Sequence, residues 1–130
     1  MINRLSLPLL VLLAACSATT PIAAEPGSSS WTFVAIDGKP PVSSKTSLTL
    51  SETRIGANVG CNGMGGDLKF EPGRLVTSGI FSTMMYCDGL MEQERAVVEL
   101  LEASPTFFIE GDRLGIKSDQ HSALLVKKRD

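Results

Sequence analysis

Only one stretch of this chain repeats its apolar residues at helical spacing, and that limits the folds open to it. Between Asp88 and Ala103, Leu90, Val97, Leu100 and Leu101 share one side, and Glu92, Arg95, Glu99 and Glu102 share the other. This is the pattern of an amphipathic helix laid on a sheet. Asp88 is the expected N-cap, and Ser104-Pro105 stops the helix. From Trp31 onward the rest reads as short strands between turns. Trp31 to Ile36 ends at Asp37-Gly38, and Lys39-Pro40-Pro41 is loop because proline cannot join a ladder. Residues 47–50 and 53–59 form a hairpin by alternation, residues 67–70 and 75–78 another around Pro72-Gly73, and residues 106–109 and 113–117 a third. Residues 121–128 close the chain. Strands, one helix and further strands predict an α+β domain, with a small curved, mainly antiparallel sheet packed against one α-helix.

Gly60-Cys61-Asn62-Gly63-Met64-Gly65-Gly66 interrupts this alternation. Glycine at such density marks backbone that needs positive φ or close approach. The segment lacks the Lys-Ser/Thr ending of a phosphate loop and no helix follows it, so the expectation is a tight bulged turn between strands. Gly60 and Asn62 are its structural residues, since Asn tolerates left-handed backbone and bonds its own loop.

The first thirty residues carry a different message. Arg4 precedes an apolar run from Leu5 to Ala15 that ends in small residues, the layout of a secretory signal peptide over residues 1–15. At about 11 residues the run is short for crossing a ~30 Å hydrocarbon core. Leu13-Ala14-Ala15-Cys16 resembles the lipobox of bacterial lipoproteins, which makes Cys16 the expected acylated N-terminus and membrane lipid its first partner. Ser17, rather than Asp, follows the cysteine and favours the outer membrane in a source with two membranes. Residues 16–30, small and polar with Pro and Gly, read as the lipidated Cys and a flexible tether of roughly 20 Å r.m.s. span. Residues 31–130 remain for one domain.

Twelve Lys and Arg stand against 14 Asp and Glu, for a net charge of −2, and loss of Arg4 with the leader lowers it by one more. No basic surplus exists to neutralise phosphates, so nucleic acid is not an expected partner. Of three cysteines, the lipid takes Cys16. Cys61 and Cys87 remain as an even pair in an oxidising compartment and are read as a disulfide. The alternatives at this point are two buried free thiols or a redox-active pair, although the spacing is not Cys-x-x-Cys.

Several residues in this order resemble one family: Trp31, Gly60-Cys61-Asn62, Thr83-Met84 with Cys87, Met91-Glu92-Gln93-Glu94 opening the helix, Leu100-Leu101, Leu114 and Leu124-Leu125. The chain resembles the META domain, or HslJ-like, family over residues 31–128. The resemblance implies a curved antiparallel sheet on one helix, and an envelope protein, often a lipoprotein. It also implies association with heat or envelope stress, antibiotic tolerance and, in some parasites, virulence. It brings no established catalytic activity and no cofactor. Met84-Met85-Tyr86 is bulkier than the family pattern suggests.

Three constellations could carry chemistry. A Cys nucleophile with His121 as base lacks a recognisable Asn or Asp to orient the only histidine. Met64, Met84, Met85 and Met91 lie near the two cysteines in sequence, and thioether and thiolate ligands suit Cu(I). Met64, Met84 and Met85 are therefore the soft-metal or small-ligand alternative, against the commoner use of Met as core filler. Glu94 falls inside the apolar arc of the helix beside Val97 and Leu101. A carboxylate there either snorkels to water or takes hydrogen bonds from Thr83 and the 60–66 loop. The expected function is a non-enzymatic binding or assembly module held at the envelope, with another envelope protein as partner.

Overall fold

A computed structural model describes residues 27–129. The signal peptide expected over residues 1–15, the expected lipid site Cys16 and residues 17–26 lie outside the described residues. Eight strands, β1 (Ser29–Ile36), β2 (Ser47–Leu50), β3 (Arg54–Asn58), β4 (Gly63–Glu71), β5 (Arg74–Ser82), β6 (Thr106–Glu110), β7 (Arg113–Lys117) and β8 (Ser122–Lys127), accompany one helix, α1 (Met91–Glu102). Every neighbouring pair is antiparallel, and the order β1 to β8 closes on itself.

The curved, mainly antiparallel sheet with one helix expected from sequence is present, and it is more specifically an eight-stranded barrel. Closure comes from β1 pairing with β8, Trp31 opposite Lys127 through Ile36 opposite Ala123, with a bulge between Phe33 and Ala35. An eight-stranded barrel is just wide enough for side chains to fill. Trp31, Phe33, Leu48, Leu50, Ile55, Leu75, Leu114, Ile116 and Leu125 are buried, joined by Val97, Leu100 and Leu101 from the helix. The alternation read from sequence therefore points one set of side chains inward on nearly every strand.

The seam between β5 and β6 is where the helix is used. These strands pair only at Arg74 opposite Thr106, flanked by Leu75 N–H to Pro105 O and Phe107 N–H to Gly73 O, both 2.9 Å. Further along β5, the Thr77 N–H donates to Ser104 Oγ at 3.0 Å and the Thr77 hydroxyl donates to Leu101 O. A helix leaves its last carbonyls without intrahelical partners, and here β5 supplies a donor to one of them.

Three boundaries differ from expectation. Ser29 and Ser30, assigned to the tether, pair with Leu50 and Thr49, and the Ser29 hydroxyl accepts from Trp31 Nε1 at 2.8 Å. Asp88 is not the N-cap. Gly89 adopts φ 77°, the Leu90 N–H turns back to Cys87 O at 3.2 Å, and α1 starts at Met91 without a side-chain cap. Gly63 to Gly66 are strand rather than turn, because close approach decides against propensity. A Cβ on Gly66 would meet Ser78 O at 2.7 Å, at the bulge in the β4–β5 register, and one on Gly65 would meet Ile55 O at 2.8 Å. On the outer surface Phe81 lies opposite Gly65 and Phe108 opposite Gly115. A Cβ on Gly115 would collide with the Phe108 ring at 2.1 Å, but that half-exposed ring can swing aside. Gly66→Ala, which meets backbone, is therefore expected to cost about 2 kcal/mol, within the range for overpacking. Gly115→Ala should cost less. Urea unfolding of the two variants checks the order.

Candidate functional site

The barrel end holding the β3–β4 turn, the start of α1 and the 83–90 segment gathers most of the polar residues singled out from sequence. Cys61 and Cys87 form a disulfide with Cα atoms 6.0 Å apart, within the usual range. Gly60, at φ 112°, has Ser43 and Leu90 so close that a Cβ would meet Ser43 Cβ at 2.8 Å. The helix reaches the same loops through Gln93, whose Nε2 donates to Val59 O at 2.9 Å and whose Oε1 accepts from the Val42 N–H at 2.8 Å.

Asn62 and Glu94 form the centre. Both are buried, at 3% and 7% exposure. Glu94 Oε2 accepts from the Asn62 N–H at 3.0 Å, and Oε1 accepts from Asn62 Nδ2. Asn62 then turns outward. Its Nδ2 also donates to Met85 O at 2.8 Å, while its Oδ1 accepts from the Met85 N–H at 2.7 Å and the Thr83 hydroxyl at 2.9 Å. Thr83 thus reaches Glu94 only through Asn62. The Thr83 N–H is held by Gly63 O at 3.0 Å. A buried carboxylate requires donors, and among the described residues every buried side-chain nitrogen and oxygen has a partner.

The side chains carried by this clamped backbone point to water. Met84 is 96% exposed, Tyr86 78%, Met85 62% and nearby Phe81 55%. Met64, by contrast, is buried in the barrel. The soft-metal set is therefore not brought together: one thioether is interior, two are on the surface, and both sulfurs of the cysteine pair are in a disulfide. Among the described residues no group of three or more His, Cys, Asp or Glu side chains is placed to hold a metal ion.

A second constellation was missed in the sequence. His121 Nδ1 lies 2.8 Å from Asp37 Oδ2, and Nε2 lies 2.7 Å from Glu99 Oε2. Asp37 comes from a two-residue turn. Ile36 and Lys39 exchange both backbone bonds, and Asp37 and Gly38 both have positive φ, the geometry that Asp-Gly favours in tight hairpins. Its other oxygen accepts from the Ser122 N–H at 2.9 Å. The Asp-Gly pair was legible as a turn, but nothing local announced a partner 84 positions away. The two ring nitrogens face different carboxylates, so the cluster joins the β1 turn, the β7–β8 turn and α1. Beside it lies an open groove of about 540 Å³ lined by Arg74, Ser104, Lys117 and Asp119 as well as Glu99 and His121.

The hydrogen bond to Glu99, then that to Asp37, raises the His121 pKa above 6.5 against the opposing effect of burial. For Asp37 burial is the largest single influence and would raise the pKa. The Ser122 N–H, the His121 bond and the charges of His121 and Lys39 together outweigh it and lower the pKa below 3.8. The histidine contribution to stability is thus full below the unfolded pKa of about 6.5 and fades as pH rises through the higher folded value. The Asp37 contribution is present above its unfolded pKa and is lost as pH falls through its lower folded one. The urea midpoint difference between the native chain and His121→Gln is expected to be largest below the unfolded pKa of about 6.5 and to shrink as pH is raised above it. A difference independent of pH would contradict the charged cluster.

No helix among the described residues is long and apolar enough to cross a membrane. A barrel of eight antiparallel strands with one helix, a disulfide at one end and a buried Asn–Glu pair defines a small β-rich domain stabilised by one cross-link. The sequence model of the META domain matches residues 24–130, so the chain belongs to the META domain family. Two proteins solved by NMR are similar in fold. One superposes with a TM-score of 0.67 at 21% identity, covering 75% of this chain and 87% of its own. The other, from Burkholderia xenovorans, superposes with a TM-score of 0.65 at 19% identity, covering 80% of this chain and 84% of its own. No curated protein matches the chain.

Proposed function

We propose that this META domain is a membrane-anchored, non-enzymatic binding module of the cell envelope that contributes to tolerance of heat, envelope stress or antibiotics. One observation carries the binding role. A buried carboxylate, a buried amide and a disulfide hold the backbone of Met85, while the apolar side chains of residues 84–86 stand in water. Exposed apolar clusters of this kind mark interaction sites. Met and Tyr are enriched at interfaces, and fixing a loop before binding lowers the entropy lost on association. The non-enzymatic reading is supported by where the reactive groups are engaged: both cysteine sulfurs in a disulfide, Glu94 on Asn62, and His121 between two carboxylates. The anchor is supported by Leu13-Ala14-Ala15-Cys16. It is acylation of Cys16, by palmitate or a similar chain, that would set the partners' compartment, the periplasmic face of the outer membrane in a two-membrane source.

The test is complementation of a deletion strain under heat and antibiotic challenge. Met84→Ser, Met85→Ser and Tyr86→Ser combined should keep the melting temperature and lose the tolerance. Cys16→Ser should release the folded domain from the membrane fraction. Full complementation by the triple variant would contradict the binding role, and stoichiometric Cu(I) binding lost on Met84→Leu and Met85→Leu would replace it with metal handling.

A further inference from the structure

We infer that the occupant of the 83–86 loop is the lipid surface itself, into which Met84, Met85 and Tyr86 insert at the level of the headgroups. This rests on the anchored reading above and specifies its partner. Chemistry comes first: from Leu75 to Cys87 the chain carries no charged side chain. Apolar side chains with one amphipathic aromatic suit the boundary between headgroups and acyl chains. Tyr86 fits this role, since its ring is exposed while its hydroxyl, 3.4 Å from Asp88 Oδ1, keeps a polar companion.

Pairing within the loop lowers the cost of insertion. A protein surface can offer hydrogen bonds to a docking loop, but a lipid interior cannot, so an inserted segment must satisfy its polar groups internally. Here the Met85 N–H and C=O are both taken by Asn62, the Thr83 N–H by Gly63 O, and the Thr83 hydroxyl by Asn62 Oδ1. These four groups need nothing from the lipid, and at headgroup depth the backbone of Met84 and Tyr86 keeps water and headgroups as partners.

Residues 17–28 separate Cys16 from the first strand residue, Ser29. Fully extended they span at most about 40 Å, at 3.3–3.6 Å per residue, which exceeds the ~30 Å diameter of a small domain. An anchor at Cys16 therefore lets any face of the barrel meet the bilayer, and a weak apolar contact is enough to choose the face because it forms within one tethered molecule.

The experiment uses Met84→Trp in the acylated protein, reconstituted into phosphatidylethanolamine–phosphatidylglycerol vesicles containing brominated lipid. Buried Trp31 provides the unquenched background. A second sample couples the chain from Cys16 onward to a maleimide lipid through Cys16, its one free thiol when Cys61 and Cys87 are bonded. Insertion then reads out even if the cell does not acylate that residue. The expected result is blue-shifted, quenched emission from the indole introduced by Met84→Trp in the coupled sample. The shift and the quenching should be lost when Met85→Asp and Tyr86→Asp are added, with the melting temperature unchanged. Unquenched, unshifted emission from the introduced indole overturns the inference, as does a photo-crosslink from position 84 to a protein rather than to lipid in intact envelopes. An absence of acyl mass on Cys16 from cells, with quenching in the thiol-coupled sample, rejects the anchored reading and keeps the loop's affinity for lipid.

Discussion

Glu94→Ala is expected to destabilise the domain by about 3 kcal/mol, since hydrogen bonds to a charged acceptor and the desolvation of abandoned donors each contribute ~1–3 kcal/mol. The substitution removes the acceptor for both the Asn62 N–H and Asn62 Nδ2 in a site only a few per cent exposed. In a domain of this size each 1 kcal/mol moves Tm by about 4–8 °C, so the loss is easily read in a thermal melt. Glu94→Gln should recover part of it at most, because its amide presents an NH₂ where one of the two Asn62 donors needs an oxygen. The damage should also reach the surface. Asn62 holds Met85 by both backbone groups, so a displaced Asn62 frees the 83–86 backbone even where the barrel persists. A melting temperature within a degree or two of the native chain would contradict a structural role for Glu94.

Breaking the disulfide is the second large effect. The bond joins residues 26 positions apart, and the chain-entropy relation gives about 3.5 kcal/mol for a loop of that length. Cys61→Ser with Cys87→Ser should lower the urea midpoint accordingly without changing the strand order, because the barrel ladders do not depend on the cross-link. Dithiothreitol should reproduce the shift in the native chain and leave the double variant unaffected. A reductant effect of equal size in both would assign the change to something other than this bond.

Much of the architecture was legible because the physics behind it is local. Short runs between turns place strands in all eight positions, and Pro72-Gly73 marks a hairpin that the structure contains. Helical spacing alone sets the Glu94 carboxylate beside Val97 and Leu101. The remainder is tertiary. Barrel closure pairs Trp31 with Lys127, and no local pattern distinguishes an edge strand from one whose partner lies at the other end of the chain. Glycine propensity argued against a strand at 63–66, but the close approach of Ser78 O and Ile55 O required residues without a Cβ. Asp88 has the chemistry of a cap, but Gly89, with positive φ, turns the backbone before the helix begins. The carboxylate partners of His121 sit on distant elements, so no local pattern shows the Asp that orients it.

A rigid display of residues 83–86 is the claim on which the proposed function depends, and amide hydrogen exchange at Met85 tests it most directly. The Met85 N–H lies between two exposed side chains, yet it donates to a buried carboxamide that is itself held by Glu94. Its exchange should be slowed to the level of the β4 and β5 amides and accelerated by Glu94→Ala in a still-folded protein. Exchange of Met85 in the native chain at the near-zero protection of a mobile loop would show that the clamp does not hold and would contradict the binding role.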